Sequence, residues 1–156
     1  MHPNQRLIER FYQAFKERDG RAMGACYHDQ VHFSDPVFVD LHGEQARGMW
    51  RMLCERGKDL VVEASRIEAN EERGIAHWDA FYTFSATGQK VHNIIDAEFR
   101  FQDGLIIDHR DRFDLYRWAR QALGIKGLLL GWAPPVQNAV RKQAMKGLDA
   151  FLKKGG

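Results

Sequence analysis

Between residues 60 and 114 the apolar side chains recur at every second position, whereas before residue 57 they recur at helical spacing. That change of period constrains the fold more than any motif, because a period of two places alternate side chains on opposite faces of a strand. Ala76, Trp78, Ala80, Tyr82 and Phe84 share one parity. Val91, Asn93, Ile95, Ala97, Phe99 and Phe101 share the next, and Leu105, Ile107, His109, Asp111 and Phe113 a third. Thr87-Gly88 and Asp103-Gly104 are turn signals between them, so the spacing predicts an antiparallel meander. Upstream, Leu7, Ile8, Phe11, Tyr12 and Phe15 form a helical stripe, as do Ala22, Met23, Cys26 and Tyr27, and Ala46, Met49, Trp50, Leu53 and Cys54. Between the last two helices "VHFSDPVF" reads as an opening strand. Helices first and a meander afterwards predict an α+β domain with its helices on one face of the sheet.

Beyond residue 113 the character shifts again. Residues 114–123 read as helix, "GIKGLLLGWAPP" as irregular and apolar, and 136–153 as a final amphipathic helix with Val136, Val140, Ala144, Leu148, Phe151 and Leu152 in its stripe. Its lysines are expected in solvent. Leu128, Leu129, Leu130 and Trp132 are expected to pack as a lid at a pocket mouth or across a dimer.

The totals exclude several classes. The 156 residues suit one domain, 1–156, and 44% apolar with 28% charged residues is an ordinary globular composition. A net charge of +2 with dispersed Lys and Arg predicts no nucleic-acid partner. The apolar stretch at 127–135 is too short to be an integral membrane segment, and no signal-peptide pattern opens the chain, so a cytoplasmic protein is expected. Cys26 and Cys54 read as buried free thiols without the spacing of zinc ligands. His28 and His32 straddle a helix-to-strand boundary, and no glycine-rich phosphate loop is present, so neither metal nor cofactor is expected.

Candidate chemistry lies where polar residues interrupt apolar faces. Asp35 shares the parity of Val31, Phe33, Val37 and Val39, and an unpaired carboxylate on that face costs several kcal/mol as an ion unless it takes up a proton or finds donors. The competing reading is a cap on the Asp-Pro turn. Asn93 interrupts a second face, and His109 with Asp111 a third. Same-face strand neighbours sit roughly 6.5–7 Å apart, so His109 and Asp111 are not automatically bonded. A curved sheet would bring Asp35, Asn93, His109 and Asp111 together in a concavity lined by Tyr12, Phe33, Trp78, Tyr82, Phe84, Phe99 and Phe113. Such a site suits acid–base chemistry on a hydrophobic, carbonyl-bearing small molecule. Ile94 and Phe81, of opposite parity and set among His77, His92, Asp96 and Arg100, predict a homodimer through the outer sheet face.

The order of these elements, with "RFYQAFKERDGRAMGACYHDQVHFSDPVF" and "VHNIIDAEFRFQDGLIIDHRDRFDLYRW" as its best-marked stretches, resembles the nuclear transport factor 2-like superfamily. More narrowly it resembles the SnoaL-like polyketide cyclase and ketosteroid isomerase branch, over about residues 5–118. The resemblance implies helices on a strongly curved sheet around a deep pocket, commonly in a dimer. It aligns Asp35 in "SDPV" with the isomerases' general base and Asp111 with the late-strand carboxylate of the cyclases. Phe11 stands where the isomerases carry a donor tyrosine, with Tyr12 adjacent, and Ala97 where they carry a protonated aspartate. Donors would then come from Asn93, Tyr82 or His109. Without them, the same fold would serve as a non-catalytic binding or dimerisation module.

Overall fold

The computed structural model describes residues 1–155. Helix α1 (Pro3–Lys16) begins where His2 Nδ1 accepts the Asn4 N–H, and it buries the stripe Leu7, Ile8, Phe11, Tyr12 and Phe15. Asp19 caps α2 (Gly20–Ala25) by accepting the Ala22 N–H. Strand β1 (Tyr27–Ser34), the two-residue β2 (Leu41–His42) and α3 (Glu44–Arg56) follow. Gly43 opens α3 at φ +53°, a backbone conformation that glycine takes without a Cβ penalty. The meander then runs β3 (Val61–Ala69), β4 (Arg73–Phe84), β5 (Gln89–Gln102) and β6 (Leu105–Arg112).

The six strands form one sheet in the order β2-β1-β6-β5-β4-β3. All neighbours are antiparallel except β1 and β6, which pair in parallel with Phe33 beside His109. This parallel closure sets the first strand of the chain beside the last, and through it the N-terminal helices lie over the middle of the sheet. The expected α+β class is the one observed. Phe11, Phe15, Phe33, Trp50, Trp78 and Phe99 fill the space between helices and sheet.

Two local readings need correction. The opening strand stops at Ser34, so Asp35 to Val39 is a turn rather than strand, and Val39 is exposed instead of sharing a buried face. Pro36 has no N–H to give a ladder, which ends the strand there. The "irregular" tail contains a helix. After α4 (Leu115–Ala122), whose N-cap Asp114 accepts the Arg117 N–H, come α5 (Ile125–Leu130) and α6 (Pro134–Lys153). Helix α6 buries Leu148 and Phe151, packs Ala144 and Leu152 against the core, and leaves Lys142, Lys146 and Lys153 in solvent, as its stripe predicted.

Candidate active site

Three buried side chains from three separate parts of the sequence meet at His109, which β6 aims into the core with none of its surface exposed. Trp50 of α3 reaches Tyr27 Oη with its Nε1 at 2.8 Å. Tyr27, at the start of β1, lies 2.7 Å from His109 Nδ1, and His109 Nε2 lies 2.8 Å from Asp111 Oδ1. An indole N–H can only donate, so the Tyr27 oxygen accepts it. Hydrogen bonds thus link Trp50, Tyr27, His109 and Asp111 in series. Phe99, Phe33 and Phe11 close around the imidazole at ring distances of 4.3, 5.0 and 5.5 Å, and Trp50 stacks on it at 5.9 Å.

The expectation for His109 changes accordingly. Both ring nitrogens are engaged within the protein, Nδ1 with Tyr27 and Nε2 with Asp111. The two residues are bonded although they lie on one strand, because the side chains lean together across the spacing between their Cα atoms. Tyr27 and Trp50 were not singled out from the sequence. Their partners lie 82 and 23 residues away, and only the parallel β1–β6 pairing brings them together.

Asp35 sits one turn beyond β1, partly exposed. Its Oδ1 accepts the backbone N–H groups of Val37 and Phe38 at 2.7 and 2.6 Å, and its own N–H donates to the Phe38 carbonyl at 2.9 Å. The capping geometry is therefore present, yet the carboxyl is not in the ordinary carboxylate range. Burial pushes its pKa up to about 7 against the two amides that lower it, and the nearby Asp111 charge pushes the same way as burial. Its own charge is in turn felt by Tyr82, whose phenol is pushed up to about 12, chiefly by burial.

Tyr82 accepts the Trp118 Nε1–H at 2.7 Å, so its hydroxyl proton remains available. Asn93 is buried on β5 opposite Ala80, one pair along from the Val91–Tyr82 pair on the same face, and its amide has no hydrogen-bond partner among the described residues. Tyr12 Oη and Trp78 Nε1 are also buried without a partner. Burial, helped by the Asp111 charge, holds the Tyr12 phenol well above its usual range.

The expected pocket lining divides in two. Tyr12, Phe33, Trp78 and Phe99 are packed into the core, whereas Tyr82, Phe84 and Phe113 are partly exposed where the core meets a second cluster built by α4. Helices α4 and α6 close that seam. Trp118 packs on Phe84 at 5.3 Å, Val140 joins the same cluster, and Arg141 Nε donates to the Pro36 carbonyl at 2.8 Å. Two concavities, of about 430 and 300 Å³, lie away from Asp35. The smaller touches Tyr82 from the side of Asp59, Phe81 and Lys90. Leu128, Leu129, Leu130 and Trp132 are exposed on this chain rather than packed as a lid on it, and α4 and α6 close the seam. No group of three or more His, Cys, Asp or Glu able to hold a metal is present among the described residues.

Comparison with known proteins agrees with this architecture. The model of the SnoaL-like domain matches residues 8–109. A comparison with curated proteins gives no match. Among solved structures, an epoxide hydrolase of Mycobacterium tuberculosis that is LEH-like shares 22% identity over 86% of this chain and 95% of its own, with a TM-score of 0.60. A proposed polyketide cyclase of Xanthomonas campestris pv. campestris shares 22% identity over 76% and 96%, at 0.62. AclR, a proposed hydroxylase of Streptomyces galilaeus, shares 18% over 81% and 96%, at 0.63.

Proposed function

Because the chain belongs to the SnoaL-like family, we propose that it catalyses acid–base chemistry without a cofactor on a hydrophobic, carbonyl-bearing small molecule. What supports this reading is the Asp35 carboxyl at the turn after β1, pushed up to about 7 chiefly by burial, together with a Tyr82 hydroxyl free to donate. A group with that pKa exists in both protonation states near neutrality, so it can take a proton and return it. Asp35 removes a proton from the carbon next to the carbonyl. The C–H electron pair moves into the carbon–carbon bond, and the carbonyl π pair moves onto oxygen. Tyr82 O–H and the unpartnered Asn93 amide are the donors for that oxygen. Protonated Asp35 then returns the proton to the same or a neighbouring carbon. Burial keeps the Asp35 pKa high, and the charge of Asp111, which is bonded to His109, adds to it. The epoxide hydrolase and the proposed cyclase and hydroxylase above share the fold, which is compatible with this class of chemistry but does not select the substrate.

The test is exchange of the acidic C–H of 2-tetralone in D2O, followed by proton NMR. Asp35→Asn keeps an acceptor for the Val37 and Phe38 amides and is expected to lower exchange by about 100-fold or more while the fold persists. Equal exchange by the variant and the native chain overturns the assignment.

A second reading has its own support: Asp35 caps its own turn, and the interior around Asp111 is closed by aromatic packing. On that reading the domain is a non-catalytic module. We further propose a homodimer through the outer sheet face, where Ile75, Ile94 and Val61 are exposed. Beside them Phe81 stacks on His92 at 4.2 Å, and Asp79 bonds both His77 and His92.

A further inference from the structure

Helix α5 packs in the reverse of the usual sense. It meets α4 through Gly127 and Gly131, one turn apart. A Cβ on Gly127 would lie 1.8 Å from the Ala119 carbonyl oxygen, and one on Gly131 would lie 2.8 Å from Ala119 Cβ. With the glycines inward, Ile125, Leu128, Leu129 and Leu130 face out, and Trp132 follows them. These five side chains are between 46% and 76% exposed. Ordinary domains do not turn a leucine run outward while burying glycine, and contiguous exposed apolar surface of this kind marks an interaction site.

Charge indicates the occupant. From Leu115 onward the chain carries eight Lys and Arg but a single acid, Asp149, whereas residues 1–114 carry 15 basic and 20 acidic side chains. Lys126 stands exposed within α5 itself, and Arg120 lies over the Tyr116 ring at 5.1 Å on the adjoining α4. An isologous contact between two copies through this patch would set two strongly basic segments face to face, which costs energy. A head-to-tail contact with the acidic body of another copy would not close into a dimer. An anionic phospholipid surface satisfies both features at once: it accepts Leu, Ile and Trp side chains at the headgroup level and attracts Lys126 and Arg120, which stand beside them. No helix among the described residues is long and apolar enough to cross a membrane, so contact would be from the surface.

We propose that α5 and the basic helices around it dock this protein on anionic phospholipid bilayers. The test is co-sedimentation of the full chain with vesicles of equal parts phosphatidylcholine and phosphatidylglycerol, against vesicles of phosphatidylcholine alone. The expected result is binding to the anionic vesicles that weakens with added salt. Leu129→Asp should weaken it by about tenfold, as should Lys126→Glu, with unchanged circular dichroism. The altered side chains are exposed, so the fold does not depend on them. Three results overturn the proposal: no binding to anionic vesicles, equal binding by the variants, or conversion of an oligomer to a monomer by Leu129→Asp in sedimentation, which would make a second copy the occupant.

Discussion

At the scale of single residues the proposed chemistry turns on Asp35, and its raised pKa makes a thermodynamic statement. The folded value of about 7 exceeds the ordinary 3.8, so between those values the folded chain holds a proton that the unfolded chain has released. Stability therefore falls as pH rises from about 4 to about 7 and levels off above, the reverse of a salt-bridged carboxylate. Asp35→Asn removes this dependence. The variant should gain on the native chain by about 2–4 kcal/mol between acid and mildly alkaline pH, measured by urea unfolding at both ends. A constant difference between the two proteins would mean that Asp35 ionises normally. Catalysis has the opposite slope, since the base must be ionised, and proton exchange should rise through pH about 7. Ionised Asp35 thus costs folding energy under the conditions in which it would work.

Among the elements, α5 shows how two glycines set an orientation. The pair Gly127 and Gly131 is visible in the sequence as small residues at i and i+4, but "GIKGLLLGWAPP" also holds five large apolar residues, which argued for burial of the other face. Close approach to Ala119 decided between them, because the backbone of α4 leaves no room for a Cβ. Gly127→Ala should therefore separate α5 from α4 and destabilise the chain by about 1–3 kcal/mol. The check is a lower melting temperature together with faster amide exchange in 125–130. An unchanged exchange pattern would place the helix elsewhere. The same change at an exposed helical glycine would stabilise slightly by restricting the unfolded chain.

For the whole molecule, the open question is what covers the outer sheet face. Ile75 and Ile94, flanked by the His77–Asp79–His92 hydrogen-bonded cluster, form a mixed apolar and polar surface of the kind that two-fold dimers bury. Sedimentation equilibrium at micromolar concentration should give a dimer, and Ile94→Glu should return a monomer with the same circular dichroism. A native chain that sediments as a monomer removes the sheet-face dimer. This surface and α5 are separate tests, since Leu129→Asp leaves the sheet untouched.

Local physics in the chain already determined the class of fold. Alternation over residues 60–114 and helical stripes before it oblige an amphipathic sheet and amphipathic helices to bury their faces on each other. It also marked Asp35, Asn93, His109 and Asp111, because polar residues on apolar faces need partners whatever the topology. The tertiary structure alone decided what those partners are. Parallel pairing of β1 with β6 joins segments some 75 residues apart, and it brings Tyr27, and through it Trp50, to His109. No periodicity within either segment encodes that contact. The end of β1 at Ser34 turned on Pro36, which parity ignored, and so moved Asp35 from a strand face into a turn beside Asp111. Side-chain period reports which face a residue takes, whereas the distance between two faces depends on how the remote strands close.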